Sequence, residues 1–271
     1  MIETLDNFLK NWQTDNINNP EELLSSIKSF AFAIAQKMGI KQSFDIQWKY
    51  SQNLFILGSF DTKTKTIFFN QNRIAALQKY KIKSETKEFS EFIENFTANF
   101  ETLSCPDEAD KSLYFTFTNK SKDILYLLGD YEQIPFDIAT TVIHELRHLY
   151  QAEQAELGNP FFEYITKNNL RSLQKPFDPM CEPTEIDAIH FQLKILQEYC
   201  CLNNLKDVFT KSFKLSVPEF KKEDIENNIK FISNNAEINS TADNIATLKT
   251  ELQSIYDWEN KILGQTKQKE N

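Results

Sequence analysis

Glycine, proline, arginine and histidine are all scarce in this chain. Five glycines and eight prolines among 271 residues exclude collagen-like and many-turned all-β architectures and favour helices. Three arginines (Arg73, Arg147 and Arg171) stand beside 27 lysines, and the balance of 30 basic to 39 acidic side chains gives a formal charge of −9 and a pI near 5.0. Such a chain lacks the electrostatic footprint of a nucleic-acid binder, whose affinity comes largely from neutralising phosphates. Anionic membrane surfaces are disfavoured for the same reason. The four cysteines, Cys105, Cys181, Cys200 and Cys201, include no CxxC pair and do not make a disulfide framework, so buried free thiols are expected. The longest strongly apolar run, Phe30 to Ala35, falls far short of the ~20 residues of a membrane span. The N-terminus has no basic stretch followed by an apolar one, so a signal peptide is not expected and a cytoplasmic location is. Histidine is the tightest constraint. Any function that needs imidazoles must draw on His144, His148 and His190.

What is present is ordinary for a folded protein. With 41% hydrophobic, 25% charged and 13% aromatic residues the chain is not wholesale disordered, and its length suits one or two domains with a real core. Asn19-Pro20-Glu21-Glu22 reads as a helix start, with Leu23, Leu24, Ile27, Phe30, Ala31 and Ile34 at helical spacing and Gly39 at the end. The period then changes. Residues 44–50, 53–59 and 66–69 are β-like, which predicts a small antiparallel sheet or meander. Residues 71–105 read as helical, and 113–118 with 124–128 as a second hairpin, although 124–128 suits a helix equally. Helices follow at about 135–155, 183–202, 218–233 and 240–263, with Gly264 to Asn271 as a frayed tail.

The chemistry sits in Thr140-Thr141-Val142-Ile143-His144-Glu145-Leu146-Arg147-His148-Leu149-Tyr150-Gln151, which contains HExxH. On a helix, residues four apart lie one turn above each other, so His144 and His148 can aim imidazoles at one metal ion. Glu145 then stands beside the open coordination position, where it can take a proton from the attacking water and deliver it to a leaving amine. Val142, Leu146 and Leu149 supply an apolar face. Thr141, His144, Glu145, His148 and Gln151 form a polar stripe that a metal would pair. With three His and 24 Glu, the pattern arises by chance in roughly one in three hundred chains of this composition, so context has to carry it.

A catalytic zinc needs a third protein ligand. The metzincin arrangement would require Gly at 151 and His at 154, and the chain has Gln151 and Gln154. Downstream, Cys181-Glu182-Pro183-Thr184-Glu185-Ile186-Asp187-Ala188 opens a helix. Glu185 in its first turn is the third-ligand candidate, although acids also gather at helix N-termini simply for the dipole. Asp187 is a rival ligand or a group that orients a ligand imidazole, and Glu182 suits a cap. His190 would complete a three-His site, donate to the reaction's oxyanion, or be a satisfied core residue. Tyr164, His190 and Arg147 are the candidate oxyanion donors. Arg147 and Gln151 also suit support and helix packing.

The stretch HELRHLYQ, His144 to Gln151, resembles the HELRHxxQ signature of small bacterial and phage-type zinc metallopeptidase domains of the gluzincin kind. Glu185-x-Asp187-Ala188 is similar to the helix start that supplies the glutamate ligand there, and Gly58 to Asp61 with Thr66 to Asn70 is similar to the hairpin before the active helix. The resemblance spans about residues 25–200. It implies an α+β, helix-rich, zincin-like fold whose small antiparallel sheet packs on the HExxH helix. It further implies Zn²⁺ held by His144, His148 and Glu185, Glu145 as general base, and a peptide or protein substrate aligned along a sheet edge. Gluzincins carry an acid four residues after the glutamate ligand, where this chain has Ile189. The expected organisation is a metallopeptidase domain over 20–202 and a helical extension over 203–271 packed on it. The competing readings are a non-proteolytic metal-binding regulatory or interaction protein on the same fold, and an acidic helical module with an accidental HExxH.

Overall fold

An asparagine opens the first long helix. In the computed structural model, which describes residues 1–12, 19–82, 87–119, 129–167, 183–205, 207–209, 246, 250, 253–254, 256–258 and 260–262, α1 is Ile2–Lys10 and α2 is Pro20–Met38. The Asn19 carboxamide oxygen accepts from the Glu21 and Glu22 N–H groups, Pro20 occupies the first turn, and Gly39 closes α2 at φ +76. This is the start and stop that the sequence predicts. α1 was not foreseen; it docks by burying Leu5 and Phe8, and the Phe8 ring stacks 4.4 Å from that of Phe30 on α2. The chain forms two compact units, Met1–Leu146 and Arg147–Asn271.

In the first unit, strands β1 (Asp45–Lys49), β2 (Gly58–Asp61) and β3 (Thr66–Asn70) form a sheet in the order β1-β3-β2. β2 and β3 pair antiparallel, as a hairpin does, but β1 pairs parallel to β3. The expected antiparallel meander is therefore a mixed sheet with β3 at its centre, where Ile67 and Phe69 are fully buried. The reason lies in residues 51–57, which are not a strand but a crossover whose polar backbone is satisfied by side chains. The Asn70 amide donates to the carbonyls of Asn53 and Ile56, Thr116 Oγ1 accepts from the Leu54 N–H and donates to Gln52 O, and Arg73 donates to Phe55 O. With those bonds made, the segment has no use for a ladder partner.

Helices α3 (Gln71–Tyr80), α4 (Lys87–Asn99) and α5 (Glu108–Asn119) follow, with a 3₁₀ turn at Phe100–Thr102. The predicted helical stretch 71–105 is thus present in pieces. Residues 113–118, expected to be a strand, lie within α5. The correction has a local cause, because Asp107 accepts from the Asp110 N–H at 2.8 Å while Asp110 accepts from the Asp107 N–H at 3.2 Å. This reciprocal cap nucleates a helix that buries Ala109, Leu113, Thr116 and Phe117 at helical spacing. Lys79 Nζ bonds both carboxylates, and the Tyr80 hydroxyl donates to Asp110. Residues 124–128 lie outside the described residues.

The long helix α6 spans Ile134–Glu156, and the division between the units falls within it. It is followed by α7 (Pro160–Lys167) and α8 (Pro183–Leu202). Gly158 at φ +79 ends the turn after α6, and Asn159 caps α7 through the Phe161 N–H. The predicted apolar stripe of α8 is buried, from Ile186 and Ile189 through Leu193 and Leu196 to Cys200. Residues 218–233 lie outside the described residues, whereas the described positions from 246 to 262 are helical, as expected. Cys105, Cys200 and Cys201 are free. Only Cys200 is buried, which corrects the expectation for Cys105 and Cys201, and burial raises its thiol pKa to about 12. Cys181 lies outside the described residues. No helix among the described residues is long and apolar enough to cross a membrane. Among the described residues the architecture is helix-rich α+β with a small mixed sheet.

Candidate metal centre

Nearly every side of α6 is occupied. Ile138, Ala139, Val142, Ile143, Leu146 and Leu149 are all buried, and so is the Glu145 side of the polar stripe, with that residue only 7% exposed. The helix start is tied down within its own unit. Arg73, whose side chain is buried, faces Asp137 in the first turn at 3.9 Å. Farther along, Thr141 meets Gly58 on β2 so closely that a Cβ at position 58 would run into its methyl carbon. Glycine there lets the strand approach the helix.

His144 and His148 stand one turn apart on α6, and Glu185 lies in the first turn of α8. Each offers one ligand atom, and the three atoms lie within 4.8 Å of one another. His148 Nε2 is 3.4 Å from Glu185 Oε2. A tetrahedral ion with bonds of about 2.0–2.1 Å separates its ligand atoms by roughly 3.3–3.4 Å. That edge is already in place, and two imidazoles with a carboxylate form a donor set suited to a borderline divalent cation. The residues present fit a metal.

The rival ligands are engaged elsewhere. Asp187 accepts two hydrogen bonds from Arg147, from Nε at 2.8 Å and Nη2 at 2.9 Å, and a third from the Gln151 amide at 2.7 Å. The Arg147 guanidinium is also surrounded by rings, 4.8 Å from the centroid of Tyr150, 5.4 Å from that of Phe162 and 4.7 Å from that of Phe191. An arginine so clamped holds two helices together and has little freedom to follow a reacting oxygen. This agrees with the packing role that its sequence position suggested.

His190 is not part of the His144–His148–Glu185 group. Its ring packs edge-on against Trp258 at 5.1 Å, and its Nε2 is buried with no hydrogen-bond partner among the described residues. Burial, helped by the cations of Lys194 and Arg147 and opposed by Asp187, lowers its pKa to about 4. The imidazole is therefore neutral near pH 7. The Tyr164 side chain and Glu182 lie outside the described residues.

Two supporting contacts were absent from the sequence reading. One is the Thr184 carbonyl, which accepts from the Gln151 amide at 2.9 Å. The other is the aromatic cage from α7 and α8. The signal for both is register, since Arg147 and Gln151 are one turn apart on α6, as are Asp187 and Phe191 on α8. Compared with known proteins, the chain matches no family model, no curated protein and no solved structure.

Proposed function

We propose that this chain is a zinc-dependent metallopeptidase with a zincin-like arrangement, His144, His148 and Glu185 holding the metal. The observation that carries the reading is the convergence of these three ligand atoms within 4.8 Å, beside a glutamate in the HExxH register. A bound zinc supplies Lewis acidity and lowers the pKa of its water to about 7. Glu145 takes the proton from the attacking water on its carboxylate and returns it to the nitrogen of the leaving amine, so one peptide bond and one water become a carboxylic acid and an amine. Asp187 and Arg147 pair with each other and keep the Asp187 carboxylate away from the metal. The substrate is a peptide or protein in extended form.

The test is the Glu145→Gln variant, which keeps the size and loses the base. The expected result is unchanged zinc content with cleavage of an unstructured peptide slowed by about 10²–10⁴-fold. Wild-type cleavage by a zinc-loaded variant overturns the role of Glu145. A zinc-loaded wild-type chain that cleaves no unstructured peptide supports instead a metal-binding protein without proteolysis.

A further inference from the structure

The orientation of the Gln151 amide has a consequence for His148. Gln151 is only 1% exposed and is the residue that links the metal-facing imidazole to the Arg147–Asp187 pair. Its nitrogen faces two oxygens, the Thr184 carbonyl at 2.9 Å and Asp187 Oδ2 at 2.7 Å. A carbonyl oxygen has no proton to give, and a carboxylate held by two guanidinium N–H groups is an acceptor only. Both demand a donor, so the amide cannot be turned over. Its oxygen must then be the atom that faces His148 Nδ1 at 3.0 Å. Because that oxygen carries no hydrogen, Nδ1 has to bring the proton.

We propose that Gln151, locked by Thr184 and Asp187, is the positioning residue that fixes His148 in the Nδ1–H tautomer and so presents the Nε2 lone pair to the metal. The inference rests on the proposed metal site and deepens it. The nitrogen left without a proton is the one 3.4 Å from Glu185 Oε2. Without this lock a neutral imidazole is free to place its proton on Nε2, donate it to Glu185, and close the position a metal needs. Arg147 acts one step further away, holding the Asp187 carboxylate in place through two hydrogen bonds so that the amide has a fixed acceptor. A hydrogen-bonded partner of this kind on a ligand imidazole typically changes metal affinity by 10–100-fold.

The scarcity of histidine makes the test tractable, because ¹⁵N-histidine labelling of the full chain gives only three imidazoles to assign. Long-range ¹H–¹⁵N correlation on the metal-free protein at about pH 9 reads the tautomer without metal or turnover. The expected wild-type result is a proton on His148 Nδ1. Gln151→Leu, checked for folding by circular dichroism, is expected to move that proton to Nε2 and to weaken zinc binding by about 10–100-fold in a chelator competition. A wild-type His148 protonated on Nε2 overturns the inference, as does a Gln151→Leu variant that keeps the Nδ1 proton and wild-type affinity. Should the variant not fold, the wild-type tautomer alone decides. A chain that shows the Nδ1–H tautomer but cleaves no peptide supports the lock and rejects the peptidase reading.

Discussion

At the scale of single residues, burial decides what each titratable group does. His190 takes up a proton far less readily when folded, because its pKa falls to about 4 from an ordinary 6.5. As pH falls, the unfolded chain is protonated first, so this group lowers stability progressively between about pH 6.5 and 4 and not above that window. The groups acting on the ring are Lys194, Asp187 and Arg147, and solvent screening limits the effect to about 1–2 kcal/mol. In metal-free protein, His190→Phe is expected to flatten the difference in denaturation midpoint between pH 4 and 6.5, which pH-resolved urea titrations measure. Equal pH slopes in the variant and wild type would reject this assignment. Arg147 is a second case. Arg147→Ala leaves Asp187 and the Gln151 amide without their anchor in a largely buried setting, so a loss of about 3–5 kcal/mol is expected. Arg147→Lys keeps the charge but not the two-pronged geometry, and calorimetry should place it between the two.

At the scale of helices and strands, the close approach of β2 to α6 makes a specific demand. Gly58→Ala drives a Cβ into the Thr141 methyl, whereas its other neighbours, Phe68 O at 3.4 Å and Phe69 Cε1 at 3.8 Å, are tolerable. Overpacking of this type costs about 1–3 kcal/mol. Thr141→Ser removes the offending methyl, so the double variant is expected to recover most of the loss, a non-additivity that denaturant unfolding reveals. Simple addition of the two effects would show that the contact is not what Gly58 serves. The same elements show how far the sequence was readable. Helices with a cap and a stop, such as α2 with Asn19 and Gly39, were legible because their signals are local. The parallel placement of β1 was not, since it depends on Asn70, Arg73 and Thr116 reaching a crossover 14 to 64 residues away in sequence. The stretch Leu113-Tyr114-Phe115-Thr116-Phe117-Thr118 has a β-like composition, and only the Asp107–Asp110 cap upstream reveals the helix.

At the scale of the molecule, the site was legible in its first half and ambiguous in its second. HExxH lies on one helix, so periodicity suffices to pair His144 with His148. The third ligand comes from a distant helix, where Glu185 and Asp187 are two residues apart and both meet side chains of α6. What separates them is the partner each finds, Arg147 for Asp187 and the His148 edge for Glu185. A metal that binds only the folded chain also couples the site to global stability. Zinc at 100 times its Kd is expected to add about 2.7 kcal/mol, read as a rise in unfolding midpoint that a chelator reverses. The most direct measurement of the central claim is zinc content by atomic spectroscopy after dialysis, on the wild-type chain and on folded His148→Ala and Glu185→Ala variants. One zinc per wild-type chain and a large loss in both variants are expected. A wild-type chain without zinc, or variants that retain a full equivalent, would contradict the claim.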